Sequence, residues 1–151
     1  MNTKSINKLR LVSILLATAG LVDALYLTWI KFTNNYSLCI QGIGNCESVN
    51  TSSYAQVMGI PVAVLGAGAY LLIIVILLLE TRIGHLQSNA TLYLFGITLI
   101  GVLFSAYLTF IEIAVLKNIC PYCVLSAILI TVLFILSIVR LSQGQTEINP
   151  D

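Results

Sequence analysis

Cys120-Pro121-Tyr122-Cys123 opens a run, Val124-Leu125-Ser126-Ala127-Ile128-Leu129-Ile130-Thr131-Val132-Leu133-Phe134-Ile135-Leu136-Ser137-Ile138-Val139, in which no side chain is charged. At ~1.5 Å rise per residue, about 20 residues of helix cover a hydrocarbon core ~30 Å thick. The stretch therefore reads as a membrane-crossing helix with a cysteine pair at its mouth. Three others have the same character: residues 11–30, interrupted only by Asp23, and the uncharged residues 60–79 and 90–111. Helices are expected over 11–30, 60–79, 90–111 and 120–139.

Composition agrees. The 151 residues are 58% hydrophobic and 9% charged, far from the ~25% charged of a soluble domain. The expected fold is an all-α integral membrane protein, a four-transmembrane-helix bundle with one long extracytoplasmic loop over residues 31–59, forming a single domain over 1–151. A net charge of +1 without a basic run gives no foothold for nucleic acid. Cytoplasmic flanks are enriched in lysine and arginine. Lys4, Lys8, Arg10, Arg82 and Arg140 fall on one side, and Lys31 and Lys117 on the other. Both termini are thus expected in the cytoplasm and all four cysteines outside it, where disulfides persist. A basic start before an apolar stretch also describes a signal peptide, with Ala17-Thr18-Ala19 as a small-x-small site. The apolar stretch runs on to Ile30, too long for such a segment, so the first helix is expected to be retained.

Ala24-Leu25-Tyr26-Leu27-Thr28-Trp29 is echoed by Ser105-Ala106-Tyr107-Leu108-Thr109-Phe110 at an offset of 81, which also carries Cys39 onto Cys120. Each half reads as an outgoing helix, a cysteine pair and a returning helix, which predicts a pseudo-two-fold axis along the membrane normal. Small residues recur every fourth position as Gly59, Ala63 and Ala67 and again as Gly101, Ser105 and Thr109. Such stripes predict close helix packing rather than chemistry.

The chemistry lies in the cysteines. Proline is tolerated at the first position of a helix, and the helix start sets Cys120 and Cys123 beside the positive end of the macrodipole, where a thiolate is stabilised. Cys39 and Cys46 flank Ile40-Gln41-Gly42-Ile43-Gly44-Asn45, whose glycines suit a pair that swings between partners. Exchange needs direct attack of sulfur on sulfur, so two pairs on one side of a bilayer can form a relay. Static disulfides are the bland alternative. A bridge from Cys120 to Cys123 would enclose only two residues and restrain almost nothing, which favours redox work. Zinc is not expected, because the cysteine spacing is not that of a finger or ribbon and the one histidine, His85, falls on the cytoplasmic side.

Cys39 and Cys46, Ser52 six positions later, Gly59-Ile60-Pro61 and Cys120-Pro121-Tyr122-Cys123 together resemble the vitamin K epoxide reductase family, particularly its bacterial members. The resemblance runs from about residue 11 to residue 139. It implies a four-helix bundle around a quinone pocket (ubiquinone, menaquinone or vitamin K type) in an integral membrane protein of a bacterial plasma membrane. It also implies a quinone-linked thiol oxidase. Cys39 would exchange with an extracytoplasmic thioredoxin-fold partner, Cys46 would pass electrons to Cys120, and Cys123 would react with the quinone. Ser52 would hydrogen-bond near the pocket; its residue type equally fits a helix cap in Asn50-Thr51-Ser52-Ser53.

Two departures qualify this. Many bacterial relatives carry a fused thioredoxin-like domain, whereas this chain ends about ten residues after the fourth helix, so a separate partner is expected. Animal members that reduce vitamin K epoxide have a tyrosine where this chain has Ala127, and their pocket asparagine has no clear counterpart in the second helix. Epoxide reduction is the alternative activity, and a non-enzymatic four-helix scaffold the third reading. Asp23 and Glu112 are costly inside a membrane and are therefore site candidates. Asp23 is expected to hydrogen-bond in the pocket or orient the cysteine loop. Glu112, near the interface, is expected to be solvated or to neighbour Lys117.

Overall fold

The computed structural model describes residues 3–33, 46–82 and 84–146. Its elements in order are α1 (Thr3–Thr33), a short α2 (Cys46–Thr51), a 3-10 turn (Ser53–Ala55), the two-residue strands β1 (Gln56–Val57) and β2 (Ile60–Pro61), α3 (Val62–Leu79), α4 (Gly84–Ile111) running into a π-helical turn (Glu112–Leu116), and α5 (Pro121–Thr146). Among the described residues, four helices are long and apolar enough to cross a membrane: Asn7–Thr33, Val62–Leu79, Asn89–Leu116 and Pro121–Ser142.

These four close a ring in which α1 packs on α3 and α5, and α4 packs on α5 and α3. Leu15, Val22 and Trp29 on α1 and Ile100, Leu103 and Phe110 on α4 point outward and are more than half exposed. In a bilayer this surface meets lipid, so apolarity alone cannot drive the helices together and packing must. Small side chains accordingly mark the contacts. Ala17, Ala24 and Ala67 are buried in the main core with Tyr70, Ile73 and Leu77. A Cβ on Gly20 would lie 2.3 Å from the Tyr70 ring, and one on Gly101 2.7 Å from Ile130. Hydroxyls inside the spans are satisfied along their own helix, as Ser13, Thr28, Thr98 and Thr131 each donate to the carbonyl four residues earlier.

Several expected boundaries move. The helices outrun the apolar stretches because backbone hydrogen bonding does not stop where hydrocarbon would. α1 begins at Thr3, α4 at Gly84, and α5 continues through Thr146 past the polar residues after Arg140. The third helix is extended at its other end by the π turn. The second helix starts later than expected, at Val62. Gly59 is not on a helical face: with Met58 it forms the turn of the β1–β2 hairpin, at φ +84° with open space where a Cβ would stand. Its value is conformational, since that φ suits glycine. Pro61, with ψ 133°, then sets the chain into α3.

The two halves are not copies in detail. Tyr26 faces inward and packs its ring on Tyr122 at 5.1 Å, whereas its sequence counterpart Tyr107 is half exposed beside Phe104. At the end of the bundle away from Cys120, the Arg140 guanidinium meets the Glu80 carboxylate at 2.6 Å, with both side chains about nine-tenths buried. The Arg10 Nε donates to the Leu77 carbonyl at 2.9 Å, so α1 and α5 are both tied to the end of α3.

Candidate functional site

Between the helices, near the end that carries Cys120 and Cys123, lies a cavity of about 410 Å³. Its wall is mostly apolar, contributed by Ala24 and Leu27 of α1, Val62, Leu65, Gly66 and Tyr70 of α3, Ile97, Ile100, Gly101, Phe104 and Leu108 of α4, and Ile130 of α5. Leu65 and Ile100 line it and are also exposed at the bundle surface, so the gap between α3 and α4 leads outward. Ser105 and Thr109, expected as packing positions, lie in the wall. Of that stripe, Gly101 has the predicted close approach to a neighbouring helix.

Cys123 lines the cavity, and Cys120 lies behind it, fully buried. Pro121 is the first residue of α5, as the motif predicts. Cys120 packs with Leu27 of α1 and Val49 of α2 in a second, smaller core cluster, joined by Ala63, Leu116, Tyr122 and Cys123. Cys46 is the first residue of α2, so the helix bearing Val49 is the one that this cysteine begins. A second tie supports α2: the Asn118 side-chain amide donates to the Leu116 carbonyl at 2.9 Å and to the Ser48 hydroxyl at 3.4 Å. Cys39 and the side chain of Cys46 lie outside the described residues.

Ser52 is in the cavity wall beside Tyr54 and Ala55. Its hydroxyl donates to the Val49 carbonyl at 2.7 Å, and its N–H reaches the same oxygen at 3.3 Å. The side chain thus closes the last turn of α2 and makes no cap hydrogen bond to the 3-10 turn that follows.

Glu112 overturns the expectation of a solvated residue, being only 4% exposed. Where α4 widens into its π turn, the Glu112 carbonyl accepts N–H groups from both Lys117 and Asn118, and Lys117 adopts a left-handed conformation that ends the helix. Such turns recur at functional sites. Glu112 lines the cavity together with Cys123, and its carboxylate accepts the Cys120 N–H at 3.2 Å. Burial of a carboxylate is tolerable only with such partners. Its position near Lys117 in the sequence concealed this, because helical spacing does not foretell a π turn.

Glu112 was a site candidate from the sequence, whereas Tyr70 was not singled out. Its phenol donates to the Ser126 carbonyl at 2.9 Å and stands 3.0 Å from the Ser126 hydroxyl, and both residues line the cavity. A lone tyrosine amid the aliphatic side chains of α3, one face away from a glycine on α1, was the available signal. Asp23 is buried but is not part of the cavity wall, and its Oδ2 has no hydrogen-bond partner among the described residues.

A buried sulfur next to one that opens on an apolar chamber, with a carboxylate beside them, equips the site to pass electrons from a dithiol to an apolar molecule. The model of the vitamin K epoxide reductase family matches residues 11–138. The thiol-disulfide oxidoreductase LTO1 of Arabidopsis thaliana is 38% identical over 137 residues, covering 85% of this chain. The chain spans about a third of that relative's length, 36%.

Proposed function

Since the chain belongs to the vitamin K epoxide reductase family, we propose that it is a thiol oxidoreductase that forms disulfides in an extracytoplasmic thioredoxin-fold protein and delivers the electrons to a membrane quinone. The observation that carries this reading is the placement of Cys120 and Cys123: one sulfur is buried against the helix that Cys46 begins, and the other opens on the 410 Å³ chamber. In the membrane the cysteine end faces away from the cytoplasm, following the lysine and arginine bias toward the opposite end.

The relay is a sequence of exchanges. The partner's dithiol reduces the Cys39–Cys46 disulfide and leaves as a disulfide. The Cys46 thiolate attacks the Cys120 sulfur of a Cys120–Cys123 bridge, releasing Cys123 toward the chamber. Cys39 then attacks Cys46, which frees Cys120. The Cys120–Cys123 dithiol reoxidises by giving two electrons and two protons to the quinone, which becomes quinol. Direction follows from the potentials, with about 30 mV equivalent to ~1.4 kcal/mol for a two-electron couple. The wall of the chamber suits a quinone ring, and the gap between α3 and α4 gives its chain a way to lipid. Tyr70, Ser105, Thr109, Glu112 and Ser126 are among the polar residues of that wall, as is Ser52, whose hydroxyl is already committed to the Val49 carbonyl.

Purified protein supplied with a reduced thioredoxin-fold donor and a short-chain quinone is expected to form quinol, and Cys123→Ala to abolish it. A Cys123→Ala protein as fast as the parent would refute the assignment.

A further inference from the structure

Glu112 has a geometry that helix capping alone does not require. Its carboxylate accepts the Cys120 N–H, which a capping group would do, but Glu112 also shares the chamber wall with Cys123. Among the described residues no lysine or arginine pairs with it. Its companions are hydrogen-bond donors rather than a cation, so it can take up a proton without breaking an ion pair. Cys120 and Cys123 pack in one cluster, Glu112 holds the Cys120 N–H, and Cys123 and Glu112 share the wall, so both sulfurs, the carboxylate and the chamber adjoin one another.

Resting on the function proposed above, we infer that Glu112 is a catalytic residue, the group that carries the thiol protons from the Cys120–Cys123 pair to the quinone. The Cys123 S–H bond breaks and its proton moves to the Glu112 carboxylate. As the Cys120–Cys123 S–S bond forms, two electrons leave the sulfur pair, which is oxidised, for the quinone, which is reduced. The carboxyl passes the Cys123 proton to one quinol oxygen. The Cys120 proton follows the same path to the second oxygen, and Glu112 ends as the carboxylate it began as. The site needs such a carrier because the chamber wall is mostly apolar and Cys120 lies buried behind Cys123.

The test separates proton transfer from capping. In the full-length protein, with all cysteines reduced, quinol formation from a short-chain benzoquinone is followed over a single turnover. Glutamine keeps an oxygen for the Cys120 N–H but cannot accept the proton, so Glu112→Gln is expected to slow quinol formation by about 100-fold, within the range that a positioned acid or base contributes. Glu112→Asp is expected to be at least tenfold faster than Glu112→Gln, by the same reasoning. If Glu112→Gln fails to fold, Glu112→Asp against Glu112→Asn makes the same comparison one methylene shorter. A glutamine variant within threefold of the parent overturns the inference, and so does an aspartate variant no faster than its amide. Cys123→Ala, run alongside, keeps the two conclusions apart. If it is inactive and Glu112→Gln is fast, only the role of Glu112 falls; if it is as fast as the parent, the proposed function falls and this role with it.

Discussion

The two ends of the bundle are built from the same apolar helices and are opposite in design. At the arginine end, Arg140 and Glu80 form a buried ion pair, Thr98 and Ser137 stand 3.3 Å apart, and the cavity that Thr98, Ser137 and Arg140 border is about 10 Å³. At the cysteine end, small residues, a π turn and a hairpin hold the helices around 410 Å³. The buried carboxylate of Glu80 is matched by a cation, whereas that of Glu112 is matched by an N–H. In the first setting charge joins helices. In the second it is left available for chemistry.

The largest effect is expected where the closed end is opened. Glu80→Ala leaves the Arg140 guanidinium buried and unpaired, at a cost of about 3–5 kcal/mol, read as a fall in melting temperature in detergent. The paired change Glu80→Leu with Arg140→Leu should recover most of that loss, since an apolar replacement of both partners removes the buried charge. A double variant as unstable as the single one would mean that the pair does more than tie helices.

Next comes the border between the two regions. Tyr70 is packed against Gly20 of α1, and its ring has no free end because its phenol is held by Ser126. Gly20→Ala should therefore cost about 1–3 kcal/mol by overpacking and should also raise the KM for quinone as the ring is pushed toward the chamber. Unchanged stability would show that the helices slip apart easily at this level.

Filling the chamber sharpens the contrast further. A Cβ on Gly66 meets nothing closer than Ala24, at 3.9 Å, so Gly66→Phe can fold and occupy the space. Quinol formation is expected to drop at least about tenfold, equivalent to ~1.4 kcal/mol, while thiol exchange with the partner continues. Loss of both would place the defect outside the chamber. The smallest effect is expected at Ser52, where Ser52→Ala removes one hydrogen bond to the Val49 carbonyl, worth about 0.5–1.5 kcal/mol. Its signature is a looser α2 and a slower exchange between the two cysteine pairs, with the affinity for quinone unchanged.

How much of this was legible follows from what each region asks of the sequence. The four spans were plain because an apolar run of the right length has few other uses, and the cysteine pair that opens α5 because proline marks a helix start. The hairpin was not, since Gly59, Ala63 and Ala67 at fourfold spacing look like one helical face until the left-handed φ of Gly59 is known. Glu112 was misread for a related reason: a π turn changes which way a side chain points without changing composition. The Glu80–Arg140 pair joins residues 60 apart in sequence, and neither position carries a local sign of the other. The repeat was a poor guide to the site, because Tyr26 packs on Tyr122 beside the cysteines while Tyr107, its sequence counterpart, is half exposed.

The exit of electrons at Cys123 is tested most directly by mixing the fully reduced protein with one equivalent of short-chain quinone, quenching with acid at intervals, and mapping the disulfides by mass spectrometry while quinol is measured. The Cys120–Cys123 bridge should appear at the rate at which quinol forms and before any bridge between Cys39 and Cys46. Quinol formed without that bridge, or a Cys39–Cys46 bridge that comes first, would contradict the account.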